Sequence, residues 1–260
     1  MNSVVRWIVA AGLMALAACQ ATNTANVTTL TVAAASDLRF ALDETIGQFK
    51  RANPTADVRP IYGSSGNFYT QIRNGAPFDM FLSADAEYPD KLRSDGFAIE
   101  GTEFEYAIGR LVVWAKRESP LEVEQKGMDV LADERVTKIA IANPEHAPYG
   151  RNAVEAMRRL GVYDRVQERF VLGENVSQAL EFIESGAAEV GVVAMSLAVA
   201  PTIQPRGKYW EIPLTAYPRM DQVGVILRAA SNRQTADQFR AFILSDEGRA
   251  IFKRFGFYLP

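Results

Sequence analysis

The chain has 260 residues, with 28 Lys and Arg against 31 Asp and Glu, a formal net charge of -3, one cysteine and one histidine. That balance, with no basic block interleaved with aromatics, argues against nucleic acid as a partner. A single cysteine permits no intrachain disulfide, so the fold must rest on core packing, and a body of about 240 residues can bury a substantial core.

The chain opens with Arg6 and an apolar run from Trp7 to Cys19. The run is too short to span a bilayer and reads as a secretory signal over residues 1 to 18. Ala15, Leu16, Ala17 and Ala18 lead into Cys19, and this Leu-Ala-Ala-Cys arrangement resembles the lipobox of bacterial lipoproteins. It implies lipidation of Cys19, with residues 19 to 28 as a small, polar, flexible tether. The expected location is extracytoplasmic, on the periplasmic side, with the carrier anchored to a membrane.

From there an apolar strand repeatedly stops at a turn of small residues and gives way to helical periodicity. LTVAAAS, Leu30 to Ser36, precedes a helix with Leu38, Leu42, Ile46 and Phe49 on one face. ADVRPIYGSSG precedes NFYTQIRNG, and DMFLSAD precedes a short helix near Tyr88 to Leu92. VTKIAIANPEHAPYG precedes RNAVEAMRRLG, RFVLGEN precedes VSQALEFIESG, and AEVGVVAMS completes the series. This rhythm predicts an α/β fold of mostly parallel sheets with helices on both faces. Two strand-like segments, Ile108 to Ser119 and Tyr209 to Arg228, lack the rhythm and suit a hinge of two crossing strands. The expected organisation is a first lobe over residues 29 to 108, a second over 109 to 215, and a return to the first over 216 to 260. Phe239, Phe242, Ile243, Ile251 and Phe252 then lie on one terminal helix.

Ligands in such sheets sit beyond the carboxyl ends of the strands. At those ends Ser64 and Ser65 lie between Gly63 and Gly66, Ser36 opens the first helix, Tyr149 follows Pro148, and Val176 follows Asn175. For Ser36 alone a simple helix cap is the plainer reading, and Asn175 is a candidate cap as well. Helix starts leave N–H groups unpaired, and four of them, two per lobe, offset roughly two negative charges. That is the charge of a small divalent oxyanion. Asp37, Asp79, Asp85 and Glu174 also lie near strand ends, but they form no calcium loop or pickable catalytic pair. Asp79 and Asp85 read as caps or surface groups, His146 as a turn residue, and Arg39, Arg73 and Arg151 as solvated helix-face charges. GSSG lacks the spacing of a nucleophile elbow, and no phosphate-loop Lys follows it.

The motifs TVAAASDL, SSGNFYTQIRNGAPFDMFLSAD, IANPEHAPYG, GENVSQAL, GAAEVGVVAMS and FKRFGF, in this order from about residue 30 to 257, resemble the molybdate-binding proteins that feed bacterial ABC importers. The resemblance implies the two-lobed type II periplasmic binding fold and capture of molybdate or tungstate, without catalysis or a cofactor. It implies Ser36 and Ser65 as hydroxyl and N–H donors to the oxyanion, the backbone N–H groups of Tyr149 and Val176 as donors from the second lobe, a membrane permease as partner, and a monomeric carrier. Many relatives place a ligand-binding tyrosine where this chain has Ala194, so the hydroxyl of Tyr149 is expected to supply that bond. Two other readings stay open: another oxyanion such as sulfate or chromate, or a small organic acid, on the same fold, and an enzyme using Ser65 or Tyr149.

Overall fold

The structure, a computed structural model, describes residues 27–260; the signal segment and Cys19 lie outside the described residues. In chain order the first part runs β1 (Thr28–Ala35), α1 (Arg39–Ala52), β2 (Ala56–Gly63), α2 (Ser65–Arg73), β3 (Met80–Leu82), α3 (Glu87–Ser94) and β4 (Phe104–Gly109). The middle runs β5 (Leu111–Lys116), α4 (Val123–Lys126), β6 (Ile139–Ala142), α5 (Pro148–Arg159), α6 (Tyr163–Val166), β7 (Phe170–Gly173), α7 (Val176–Glu184), β8 (Val190–Ala194), α8 (Met195–Ala198) and β9 (Gly207–Glu211). It closes with β10 (Met220–Ile226), α9 (Arg233–Leu244) and α10 (Asp246–Arg254).

Two five-stranded sheets result, ordered β2-β1-β3-β10-β4 and β7-β6-β8-β5-β9. Both are mixed. β1 and β6 pair in parallel with their neighbours, whereas β10 and β5, next to the two places where the chain passes between sheets, pair antiparallel. The expected parallel pattern therefore holds around β1 and β6, where each strand is followed by a helical return, and gives way where a strand enters from the other sheet.

The first sheet is covered on both faces. Leu30, Val32, Met80 and Leu82 pack with Leu38, Leu42 and Phe49 of the first helical stretch and with Phe239, Ile243, Ile251 and Phe252. Ala33 and Phe81 point the other way, onto Phe68, Ile72, Tyr88 and Leu92. The period of two along a strand delivers alternate residues to opposite helical layers. The single terminal helix expected from the aromatic pattern is two helices, because Ser245 ends α9 and its Oγ accepts the Gly248 N–H at 3.2 Å to start α10.

Strand register positions the site. β1 and β2 run in step from Thr28 opposite Ala56 to Ala35 opposite Gly63, so Ser36 and Ser64 leave the sheet side by side. β6 and β7 likewise end level, with Ala142 opposite Gly173. The chain passes between sheets at Gly109 and Arg110, and again between Glu211 and Met220. Arg110 ties the two passages together: its guanidinium bonds Glu211, donates to the Gly256 carbonyl at 3.1 Å and lies 4.3 Å over the Tyr258 ring.

Candidate oxyanion site

Three helices begin at the carboxyl ends of their strands and converge on one small cavity, lined by Ser36, Asp37, Ser65, Tyr149 and Val176 among others. The four residues singled out from the sequence thus come together, from elements of both sheets. Among the described residues, no lysine or arginine lines the cavity.

Each donor is set by its neighbours. Asn175 caps α7, its Oδ1 accepting the N–H groups of Ser177 and Gln178 at 3.0 and 3.1 Å. That leaves the Val176 N–H, which has no acceptor in the helix itself. Pro148 has no N–H, so Tyr149 carries the first one of α5, and the fixed ring favours the helix start. Gly66 spends its N–H on the His146 carbonyl at 2.9 Å, leaving Ser65 to present the first N–H of α2. The Ser65 Oγ accepts the Ala84 N–H at 3.0 Å, and the Ser36 Oγ accepts the Ser177 N–H at 3.3 Å. A hydroxyl whose lone pair is occupied in this way still has its proton to donate. Both serines are buried.

Ser36 does not act as the helix cap that it would be if read alone. Ala35 precedes a 3-10 turn over Ser36–Leu38 without a side-chain cap, and the Ser36 hydroxyl reaches across to α7. The Tyr149 hydroxyl also departs from its expected role. It donates to Asp37 Oδ2 at 3.0 Å, on the side of the ring that faces Gly109. The bond expected in place of the Ala194 position is therefore made to a carboxylate instead, and Tyr149 offers the cavity its N–H.

Asp37 is the residue that sequence reasoning weighed only as a strand-end acid. It is fully buried, and besides Tyr149 its Oδ2 accepts Gln222 Nε2 at 2.6 Å. The Ser196 hydroxyl donates to its carbonyl at 2.8 Å. Loss of hydration pushes the carboxyl up to about 6, against the opposing pull of the Gln222 and Tyr149 hydrogen bonds. The one available signal was its place directly after Ser36; Gln222, from β10, could not be paired with it by spacing.

The lobes meet around the cavity through polar contacts. Arg151 bonds Asp85 at 2.5 Å and the Tyr88 hydroxyl at 3.1 Å, with Glu87 at 3.5 Å, so it is an interlobe partner and not a solvated helix-face charge. His146 Nδ1 lies 2.9 Å from Ser64 Oγ, which makes the turn residue part of the closure. Asn67 donates to Glu174 at 3.0 Å. Asp79 is buried and structural, its two oxygens accepting the N–H groups of Thr31 and Ser231.

A profile of the bacterial extracellular solute-binding proteins matches residues 30–258. The chain belongs to this family. It is 39% identical to the molybdate-binding protein ModA of Rhodobacter capsulatus over 77% of each chain. It is 33% identical to the ModA of Azotobacter vinelandii over 96% of this chain and 94% of that one. The solved periplasmic molybdate-binding protein of A. vinelandii superposes with a TM-score of 0.83 at 36% identity, covering 89% of this chain and 99% of that one. Among this solute-binding family member's described residues, no helix is long and apolar enough to cross a membrane.

Proposed function

We propose that this protein captures molybdate or tungstate outside the cytoplasm and hands it to the permease of an ABC importer. The observation that carries the reading is the cavity itself: hydroxyl and N–H donors from both sheets converge on it, and no cationic side chain among the described residues lines it. A dehydrated dianion needs a donor for each oxygen, and charge-assisted hydrogen bonds contribute on the order of 1.5 to 3 kcal/mol each. The helix starts add their partial positive ends. Ser36, Ser65, Tyr149 and Val176 are the proposed donors. The similarity to molybdate-binding relatives over most of the chain supports the choice of anion.

Binding from both sides favours the closed arrangement by differential affinity, since Ser36 and Ser65 stand on one lobe and Tyr149 and Val176 on the other. The lobes we assign are residues 29 to 108 with 216 to 260, and 109 to 215. We also assign Cys19 as the lipidated residue of a membrane-anchored monomer. The protein acts by capture rather than catalysis. The hydroxyl–imidazole contact of Ser64 and His146 bridges the lobes, and no carboxylate orients the ring among the described residues.

Calorimetric titration with molybdate, tungstate, sulfate, phosphate and chromate tests the reading. Tight binding of molybdate and tungstate, with sulfate weak, is expected. Tightest binding of sulfate, or of none of these anions, would overturn it.

A further inference from the structure

We propose that Asp37 carries a proton when the cavity holds its oxyanion, so that capture of the dianion takes up a proton from solvent and the Asp37 carboxyl is a specificity-determining group of the site. The inference rests on the oxyanion reading given above and extends it to a residue next to the proposed donors.

The hydrogen-bond inventory around this side chain does not balance for an ionised carboxylate. Asp37 Oδ1 is buried without a donor, and so is the Oε1 of Gln222, its immediate neighbour. Two buried acceptors left unpaired on neighbouring side chains are costly, and each asks for a hydrogen. The contact between the two side chains is 2.6 Å. That is short for N–H···O and ordinary for O–H···O. With a proton on Asp37 Oδ2 and the Gln222 amide turned over, the carboxyl donates to the glutamine oxygen, and Asp37 Oδ1 becomes the carbonyl oxygen of a neutral acid, which is less costly to leave without a donor than half of a carboxylate.

The surroundings make an ionised Asp37 harder still to keep beside a dianion. The titratable groups facing it are phenols: Tyr149 from α5 and Tyr106 from β4, with Tyr217 next to Tyr149. Burial pushes all three up, so they are neutral and lend no positive charge. α8 contributes only the Ser196 hydroxyl, and β10 only the neutral Gln222. No lysine or arginine bonds Asp37 among the described residues. A carboxylate and a divalent anion sharing one cavity without a cation repel strongly, and the cavity relieves this by protonation. Without ligand, burial already lifts the carboxyl to about 6, and the anion raises it further.

The proton also decides selectivity. A protonated Asp37 leaves the cavity without an anionic acceptor, so an anion that brings its own proton, such as hydrogen phosphate, finds only the weaker carbonyl oxygen of a neutral acid to place it on. An ionised Asp37 would accept that proton and welcome phosphate.

The test is calorimetric titration of the protein with molybdate near neutral pH in two buffers of different ionisation enthalpy, repeated across the range above about pH 6 where molybdate stays fully deprotonated. Uptake approaching one proton per molybdate is expected, with affinity falling by up to tenfold per pH unit. Asp37→Asn should abolish the uptake and flatten the profile, whereas Asp129→Asn, at an exposed carboxyl outside the cavity, should retain both. Should Asp37→Asn fail to fold, the infrared difference spectrum of the unaltered protein reads the same event as a protonated-carboxyl band gained on binding. Heat that is identical in both buffers overturns the proposal and leaves the molybdate reading intact. Phosphate binding tighter than molybdate, or no binding by any oxyanion, removes both.

Discussion

The Gly66 amide donates to the carbonyl oxygen of His146 across the cleft at 2.9 Å, and a Cβ on Gly66 would stand 2.6 Å from that oxygen and 2.5 Å from the Tyr88 hydroxyl. The glycine serves the closed arrangement, not the helix. Gly66→Ala should improve α2 by about 1 kcal/mol of helix propensity while keeping the lobes from meeting. Retained folding with at least a tenfold loss of molybdate affinity, and a larger scattering radius in the presence of ligand, is expected. Unchanged affinity would show that the cleft need not close this far.

Ser65→Ala removes a proposed donor and the acceptor of the Ala84 N–H together. Affinity should fall by about 1.5 to 3 kcal/mol, which is roughly 10- to 150-fold. A thermal melt run alongside separates this from a loss of stability, because the orphaned Ala84 amide also lowers the melting point.

Arg151→Gln cuts the interlobe contact with Asp85 and Glu87. The arginine side chain is 34% exposed and the Asp85 side chain 18%, so solvent screens part of the interaction. A penalty of about 1 kcal/mol, or roughly fivefold, is expected, appearing mainly as faster ligand release and shrinking in high salt. Stopped-flow release measurements at two ionic strengths check this.

Tyr149→Phe leaves the N–H in place and removes the hydroxyl from Asp37. That hydrogen bond holds the carboxyl down, so its loss raises the Asp37 pKa further. Affinity measured near pH 6 should change by less than about threefold, and the decline at higher pH should begin later. A large loss at every pH would assign the hydroxyl to the oxyanion after all.

Asp37 also leaves a mark on stability. Its folded pKa of about 6 lies above the ordinary value of 3.8, so the folded state holds the proton more tightly. The contribution is greatest below about pH 4 and is lost as pH rises to 6, a change of about 3 kcal/mol. Urea unfolding of the unaltered protein and of Asp37→Asn should therefore diverge between these pH values, the variant gaining relative stability as pH rises.

The strand-to-helix junctions were legible because they are local. A short apolar run, a small-residue turn and a periodic helix place Ser36, Ser65, Tyr149 and Val176 at strand ends without any tertiary information. Asn175 as a cap was equally readable. What spacing could not supply were partners brought from another element: Gln222 to Asp37, Ala84 to Ser65, Asp85 to Arg151. The Tyr149 hydroxyl went astray for the same reason, since its orientation is decided by a buried acid far away in sequence. The break at Ser245 was visible only as a capping serine followed by Asp246 and Glu247, and the continuing aromatic pattern hid it.

The position of β10 has a bearing on how this chain folds as it is made. β10 separates β3 from β4 and pairs with both, yet it follows every strand of the other sheet in sequence. Residues 111 to 211 hold all five strands of the second sheet and can complete it as soon as they are free. The first sheet stays in two pieces until residue 226 arrives, with the edge of β3 open to wrong pairing in the meantime. A chain ended before Met220 should therefore form the later-synthesised half natively and leave the earlier half unfinished.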